Sequence, residues 1–236
     1  MKYLPLFLLP TLSLSAATVS QWNFNSLPSD TTFNTGSSSP STGSGTASLL
    51  TTTAVFATGV ANGGSSDPAT VDNSGWGITN FPAATLGDLT AGAQFLVDTT
   101  GYESISFTFD LRHSNSSSRY EAVQYTLNGS SWTTAVFFTG AAGDTWFNGR
   151  SVDLSGIAQA GNNPNFGVRV VSAFESTATG VGAASYAASA TTAASAYTAA
   201  GNWRFDMVTV SGTAVPEPAA ALLGSIGLLG LLRRRR

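Results

Sequence analysis

Residues 103–112 alternate strictly, with Ile105, Phe107, Phe109 and Leu111 on one face and Ser104, Ser106, Thr108, Asp110 and Arg112 on the other. A period of two marks a strand with one buried and one wet face, the habit of antiparallel sheets. Residues 119–127 repeat the pattern, with Val123, Tyr125 and Leu127 inward before Asn128-Gly129, and residues 132–138 follow. Residues 125–132 therefore predict a hairpin. Residues 18–25 read as a first strand with Trp22 and Phe24 on one face, and further strands are expected within 46–58 and at 93–97, 149–154, 165–174 and 202–211. Loops separate them. Residues 27–45 hold few apolar side chains, and residues 59–77 carry the turn signals Asn62-Gly63-Gly64, Asp67-Pro68 and Asp72-Asn73-Ser74-Gly75. Residues 176–201 are rich in alanine, but Gly180, Gly182 and the many serines and threonines make a poor helix. They predict a long loop ordered by Tyr186 and Tyr197.

Nine or ten short strands joined by Gly- and Ser-rich loops predict an all-β fold: an antiparallel two-sheet β-sandwich, jelly-roll-like. The first and last strands are expected to pair and bring the chain ends together.

The two ends differ from this core. Lys2, an apolar run over residues 3–14 and the small residues Ser15-Ala16-Ala17 predict a signal peptide, helical in its apolar part and cleaved after Ala17. At the other end Pro216-Glu217-Pro218 precedes an uncharged run over residues 219–232 and then Arg233, Arg234, Arg235 and Arg236. As a helix the run spans roughly 21 Å, short of a ~30 Å hydrocarbon core unless flanking residues or local thinning help. It predicts a short transmembrane helix with its arginines on the cytoplasmic side. The organisation is thus a signal peptide (1–17), a β-sandwich ectodomain (18–214) and a tail (215–236).

The tail resembles the PEP-CTERM sorting signal of exported bacterial proteins: the Pro-Glu-Pro tripeptide, an apolar run containing Gly224, Gly227 and Gly230, then the arginine cluster. The resemblance implies recognition by an exosortase, a membrane protease-transferase that cuts near the tripeptide and releases or re-attaches the protein. Residues 105–132 and 202–210 are also similar to exported jelly-roll ectodomains that accompany this signal. That likeness implies fold and location and brings no chemistry.

Charge sharpens the picture. Outside the two end segments the chain has five arginines, no lysine and twelve acids. A net acidic surface with no basic stripe argues against a nucleic-acid partner. The chain has no cysteine, which excludes thiol catalysis, disulfides and thiolate zinc sites.

Candidate chemistry is sparse. His113 is the one histidine, and Ser114–Ser118 follow it, but no G-x-S-x-G elbow presents a serine nucleophile. Asp110 and Glu121 lie on neighbouring predicted strands as a candidate glycosidase pair, with Arg112 and Arg119 near enough to make them surface ion pairs instead. Trp76, Trp132, Trp146 and Tyr120 are candidate sugar-stacking rings, with Arg112, Arg119 and Asn115 as polar partners; the alternative is that these aromatics are core. Asp30, Asp72 and Asp206 are candidate donors to a structural calcium ion, although no fixed-spacing loop is present. The expectation is an exported, non-enzymatic surface or matrix protein with a structural or adhesive sandwich, passing through a transient membrane anchor. Its expected partners are an exosortase-type enzyme and polysaccharide. The alternatives are a carbohydrate-binding module and, after it, a polysaccharide hydrolase.

Overall fold

The computed structural model describes residues 15–216, which form twelve strands. They are β1 (Ala16–Trp22), β2 (Thr42–Gly43), β3 (Thr46–Leu50), β4 (Thr53–Thr58), β5 (Ser74–Thr79) and β6 (Gly92–Leu96). β7 (Tyr102–His113), β8 (Tyr120–Thr126), β9 (Thr133–Thr139), β10 (Thr145–Asp153), β11 (Gly167–Ala173) and β12 (Trp203–Ala214) complete the set. Among the described residues helix is confined to one 3₁₀ turn and the five-residue α1 (Glu175–Thr179). The expected signal helix before Ser15 and the expected sorting tail and transmembrane helix from Glu217 on, including Pro218 and the arginines, lie outside the described residues.

One sheet runs β10-β7-β12-β1-β2, with β5 also on β12 and β4 on β5; the other runs β3-β6-β11-β8-β9. All pairings are antiparallel. The all-β, two-sheet expectation holds. The alternation in β7 acts as expected, since Ile105, Phe107, Phe109 and Leu111 are all buried. They meet Phe95 and Val170 of the facing sheet in one core, with Trp22, Trp203 and Phe205 filling its centre.

The first and last strands pair, with Ala16 opposite Thr213 and Trp22 opposite Val208. β12 is flanked by β7 on one side and by β5 and then β1 on the other. Such a position leaves no free edge.

Two features depart from the simple alternation. β12 has a register shift between Asp206 and Thr209, where Met207 takes φ 46°. Trp203 and Phe205 point inward before it, Val208 and Val210 after it. A bulge adds one residue and flips the facing of everything beyond it. β10 has a second shift between Phe147 and Arg150, at Gly149 with φ 65°. It turns Arg150 into the interior, where the residue is only 8% exposed. Asp110 caps this bulge by accepting the Gly149 N–H at 2.7 Å.

β5 was expected to be loop. Its two glycines let strands approach closely: a Cβ on Gly75 would sit 2.6 Å from the Arg204 side chain. Pairing with β4 and β12 overrides the local turn signals. The hairpin between β8 and β9 is present, but its connection runs over residues 127–132 rather than two residues. There Asn128 Oδ1 accepts N–H groups from Ser130 and Ser131. The long segment after β11 is irregular beyond α1, as expected. Tyr186 and Tyr197 stack at 4.8 Å, and their hydroxyls donate to the carbonyls of Gly87 and Pro82, each at 2.6 Å.

Candidate functional site

Three groups of polar side chains stand out. The first lies between the sheets. His113 on β7 and Arg150 on β10 face Glu121 on β8, and His113 and Glu121 are completely buried. Arg150 pairs with one Glu121 carboxylate oxygen, and His113 Nε2 lies 3.4 Å from the other. Arg150 also donates to the Thr139 carbonyl at 2.9 Å and lies over the rings of Phe147 and Phe138 at 4.5 and 5.1 Å. His113 Nδ1 is 2.9 Å from the Ser118 carbonyl, which also receives Trp203 Nε1–H at 3.0 Å. A carbonyl only accepts, so Nδ1 carries the proton. Burial, and then the Arg150 guanidinium, push the imidazole pKa down to about 3. The ring is therefore neutral, and an ion pair beside it ties the two sheets together.

This arrangement removes Asp110 and Glu121 as a candidate glycosidase pair. Asp110 points out of the opposite face of β7, so Asp110 and Glu121 do not flank a cleft. Nor does His113 meet a serine hydroxyl. The facing of both was readable, because His113 continues the odd-numbered inward set of β7 and Glu121 that of Val123 and Tyr125. Only the arginine between them was hidden, since a bulge turns it inward. The ring is enclosed on its open side by Gly140, where a Cβ would lie 2.6 Å from His113 Nε2. Gly140→Ala is expected to overpack this contact and cost about 1–3 kcal/mol, read as a lower urea midpoint.

The second group lies on the outer face of the larger sheet, under residues 59–73. Asp206 and Asp110 are register partners there, and both are buried. Asp206 accepts Ser65 Oγ–H at 2.6 Å and the Met207 N–H at 2.7 Å, while Asp110 accepts the Ser66 and Gly149 N–H groups. Burial pushes the Asp206 carboxyl well above the usual range, with Asp67 and Asp110 adding to the rise. The three calcium candidates are divided. Asp72 accepts from Ser29 Oγ at 2.9 Å and from the Asp30 and Ser26 N–H groups, apart from the Asp206 cluster. Asp30 is held down to about 2, first by the Thr32 N–H and then by the Thr35 hydroxyl. Among the described residues no group of three or more His, Cys, Asp or Glu side chains is placed to hold a metal ion.

Burial removes most sugar candidates. Trp76 is buried against Phe24, ring centroids 5.4 Å apart, and Trp146 is buried with Nε1–H donating to the Ala61 carbonyl at 2.9 Å. Tyr120 is buried as well. Arg112 is spent on Asp144 and Asn62, and Arg119 Nε donates to the Ala188 carbonyl at 2.8 Å. Asn115 is exposed, at the far end of β7. Trp146 is covered by a loop 85 residues away and Trp76 by the core between the sheets, so a place near a loop was no sign of exposure.

Trp132 is the exception. It is half-buried on the outer face of the smaller sheet, with the Arg169 guanidinium 4.6 Å from its ring centre. This third group holds the one candidate ring that remains partly open and a partner, Arg169, that the sequence reading did not single out. Searched against protein-family models and against curated proteins, the chain matches none of them.

Proposed function

We propose that the chain is an exported surface or matrix protein: a structural or adhesive β-sandwich of jelly-roll type carried between a cleavable signal helix and a PEP-CTERM-like sorting tail. The observation that carries this reading is the pairing of β1 with β12. Both end segments then leave from the same end of the sandwich, so each can be removed without cutting into the core. Cleavage after Ala17 takes away two exposed residues opposite Gly212 and Thr213 and leaves the Thr18–Ser211 rung in place. At the other end, the last hydrogen bond runs from Val215 N–H to the Gly101 carbonyl at 2.8 Å, and Val215 is 42% exposed. The start of the Pro-Glu-Pro motif borders an open cavity of about 440 Å³ lined by Tyr102, Asn162 and Pro216. An extended, proline-stiffened segment beside open space suits a protease that needs bare backbone.

Intact-mass analysis and C-terminal peptide mapping of protein recovered from its host provide the test. The expected chain ends near residues 215–218 with the arginines gone. A chain ending at Arg236 would withdraw the sorting reading and leave a plain anchor. A second reading, carbohydrate binding, is favoured by the half-open Trp132 with Arg169 on its face. The sealed position of Glu121 supports a binding or scaffolding role over hydrolysis.

A further inference from the structure

The outer face of the smaller sheet carries a polar row that crosses every strand. Ser48, Gln94, Arg169, Gln124 and Thr134 are successive register partners on β3, β6, β11, β8 and β9. With strands about 4.8 Å apart, the row extends roughly 19 Å. Three of its members are chained together: Arg169 Nε–H donates to Gln124 Oε1 at 2.7 Å, and Gln124 Nε2–H to Thr134 Oγ1 at 2.9 Å. Trp132 covers the guanidinium from the hairpin connection.

Arg169 is held but not neutralised. Arg112 and Arg150 have carboxylates, on Asp144 and Glu121, but no carboxylate among the described residues lies within ion-pair distance of Arg169. Its two terminal nitrogens have no hydrogen-bond partner among the described residues, since only Nε is engaged. Burial lowers its pKa from the ordinary arginine value, and no nearby anion offsets the loss of water. A guanidinium fixed at Nε and stacked on an indole presents its remaining N–H fork in one orientation, the geometry that takes a carboxylate bidentately. The amides and hydroxyls on either side offer both donors and acceptors at a regular spacing, as a chain of sugar hydroxyls requires.

We propose that this row is a binding site for an acidic, uronate-containing polysaccharide, with Arg169 taking a sugar carboxylate, Trp132 stacking on a ring, and Gln94 and Thr134 bonding hydroxyls, while the buried Gln124 holds Arg169 in place. The inference rests on the carbohydrate-binding reading and assigns its site and substrate class. A nucleic acid fits poorly, because Arg169 is the one cation in the row and a phosphate backbone needs several.

The experiment compares retention of the full-length chain, purified in detergent, on polygalacturonate and on the same polymer with its carboxyls methyl-esterified. Retention on the acid form, weakened about tenfold or more by esterification and by Arg169→Gln, is the expected result. Trp132→Ala is expected to weaken both arms, because stacking does not depend on the carboxylate. Equal retention on the two polymers, or no loss with Arg169→Gln at an unchanged melting temperature, overturns the uronate assignment and leaves a neutral-glycan site. No retention on either polymer overturns the carbohydrate reading itself. The esterified polymer needs no variant, so the test survives a misfolded substitution.

Discussion

Glu121→Ala is expected to lower the unfolding free energy by about 3–5 kcal/mol, a large part of the total stability of a domain this size. The loss does not come chiefly from the carboxylate's own contacts. It comes from what remains: the Arg150 guanidinium, almost wholly buried between the Phe138 and Phe147 rings with only the Thr139 carbonyl as a polar partner. An unpaired charge in that position must either draw water into the core or give up its proton. Burial already pulls the Arg150 pKa down to about 9 with its partner present. Removing both charges together, as in Glu121→Leu with Arg150→Met, is expected to restore most of the loss, because apolar residues of similar volume avoid the desolvation cost. Urea unfolding of the single and double variants checks this. A Glu121→Ala loss no larger than that of the exposed Glu103→Ala would show that the ion pair does not hold the sheets together.

Acidification brings the second large effect. The unfolded chain binds a proton at the His113 imidazole near pH 6.5, whereas in the folded protein binding waits until about pH 3. Between those values the unfolded state holds the extra proton, so this residue's contribution to stability is lost as pH falls, at up to about 1.4 kcal/mol per pH unit. Asp206 acts in the opposite sense. Its raised folded-state pKa means that the native protein keeps a proton the unfolded chain has released, so its contribution is present at low pH and is lost as pH rises above the ordinary carboxylate value of 3.8. The two effects oppose each other in the wild-type protein wherever their titration ranges overlap. Asp206→Asn keeps an acceptor for the Met207 N–H and a polar partner for Ser65 while removing the titration. It is expected to be more stable than the wild type at neutral pH and to lose stability more steeply on the acid side. Urea midpoints at pH 7, 5.5 and 4 decide this, and parallel curves for the two proteins would count against it.

Both predictions rest on positions whose facing was partly legible from the chain. The odd-numbered run from Ile105 to Leu111 continues to His113, and the run through Val123 and Tyr125 reaches back to Glu121. A period of two is enough to place both inside, because neighbouring residues of a strand must point to opposite faces. Asp206 was less legible. It lies on the outer face of β12, and only the closure of residues 59–73 over that face buries it. Trp146 was obscured in the same way, Trp76 by the pairing of β5, which turns it into the core between the sheets, and Trp132 stayed open because its connection lies on the uncovered sheet.

The local pattern of the chain was sufficient for the strands with strict alternation, the all-β class and the looped character of residues 176–201. These follow from short-range sterics and the need to bury one face of each strand. Tertiary structure decided the bulges at Met207 and Gly149, the conversion of a turn-rich segment into β5, the burial of the sugar candidates Trp76, Trp146, Tyr120 and Arg112, and the meeting of Arg150 with Glu121. Each depends on which strand lies alongside which, and on what folds over an outer face. Those choices are made by contacts between residues far apart in the chain, which a periodicity confined to one strand does not record.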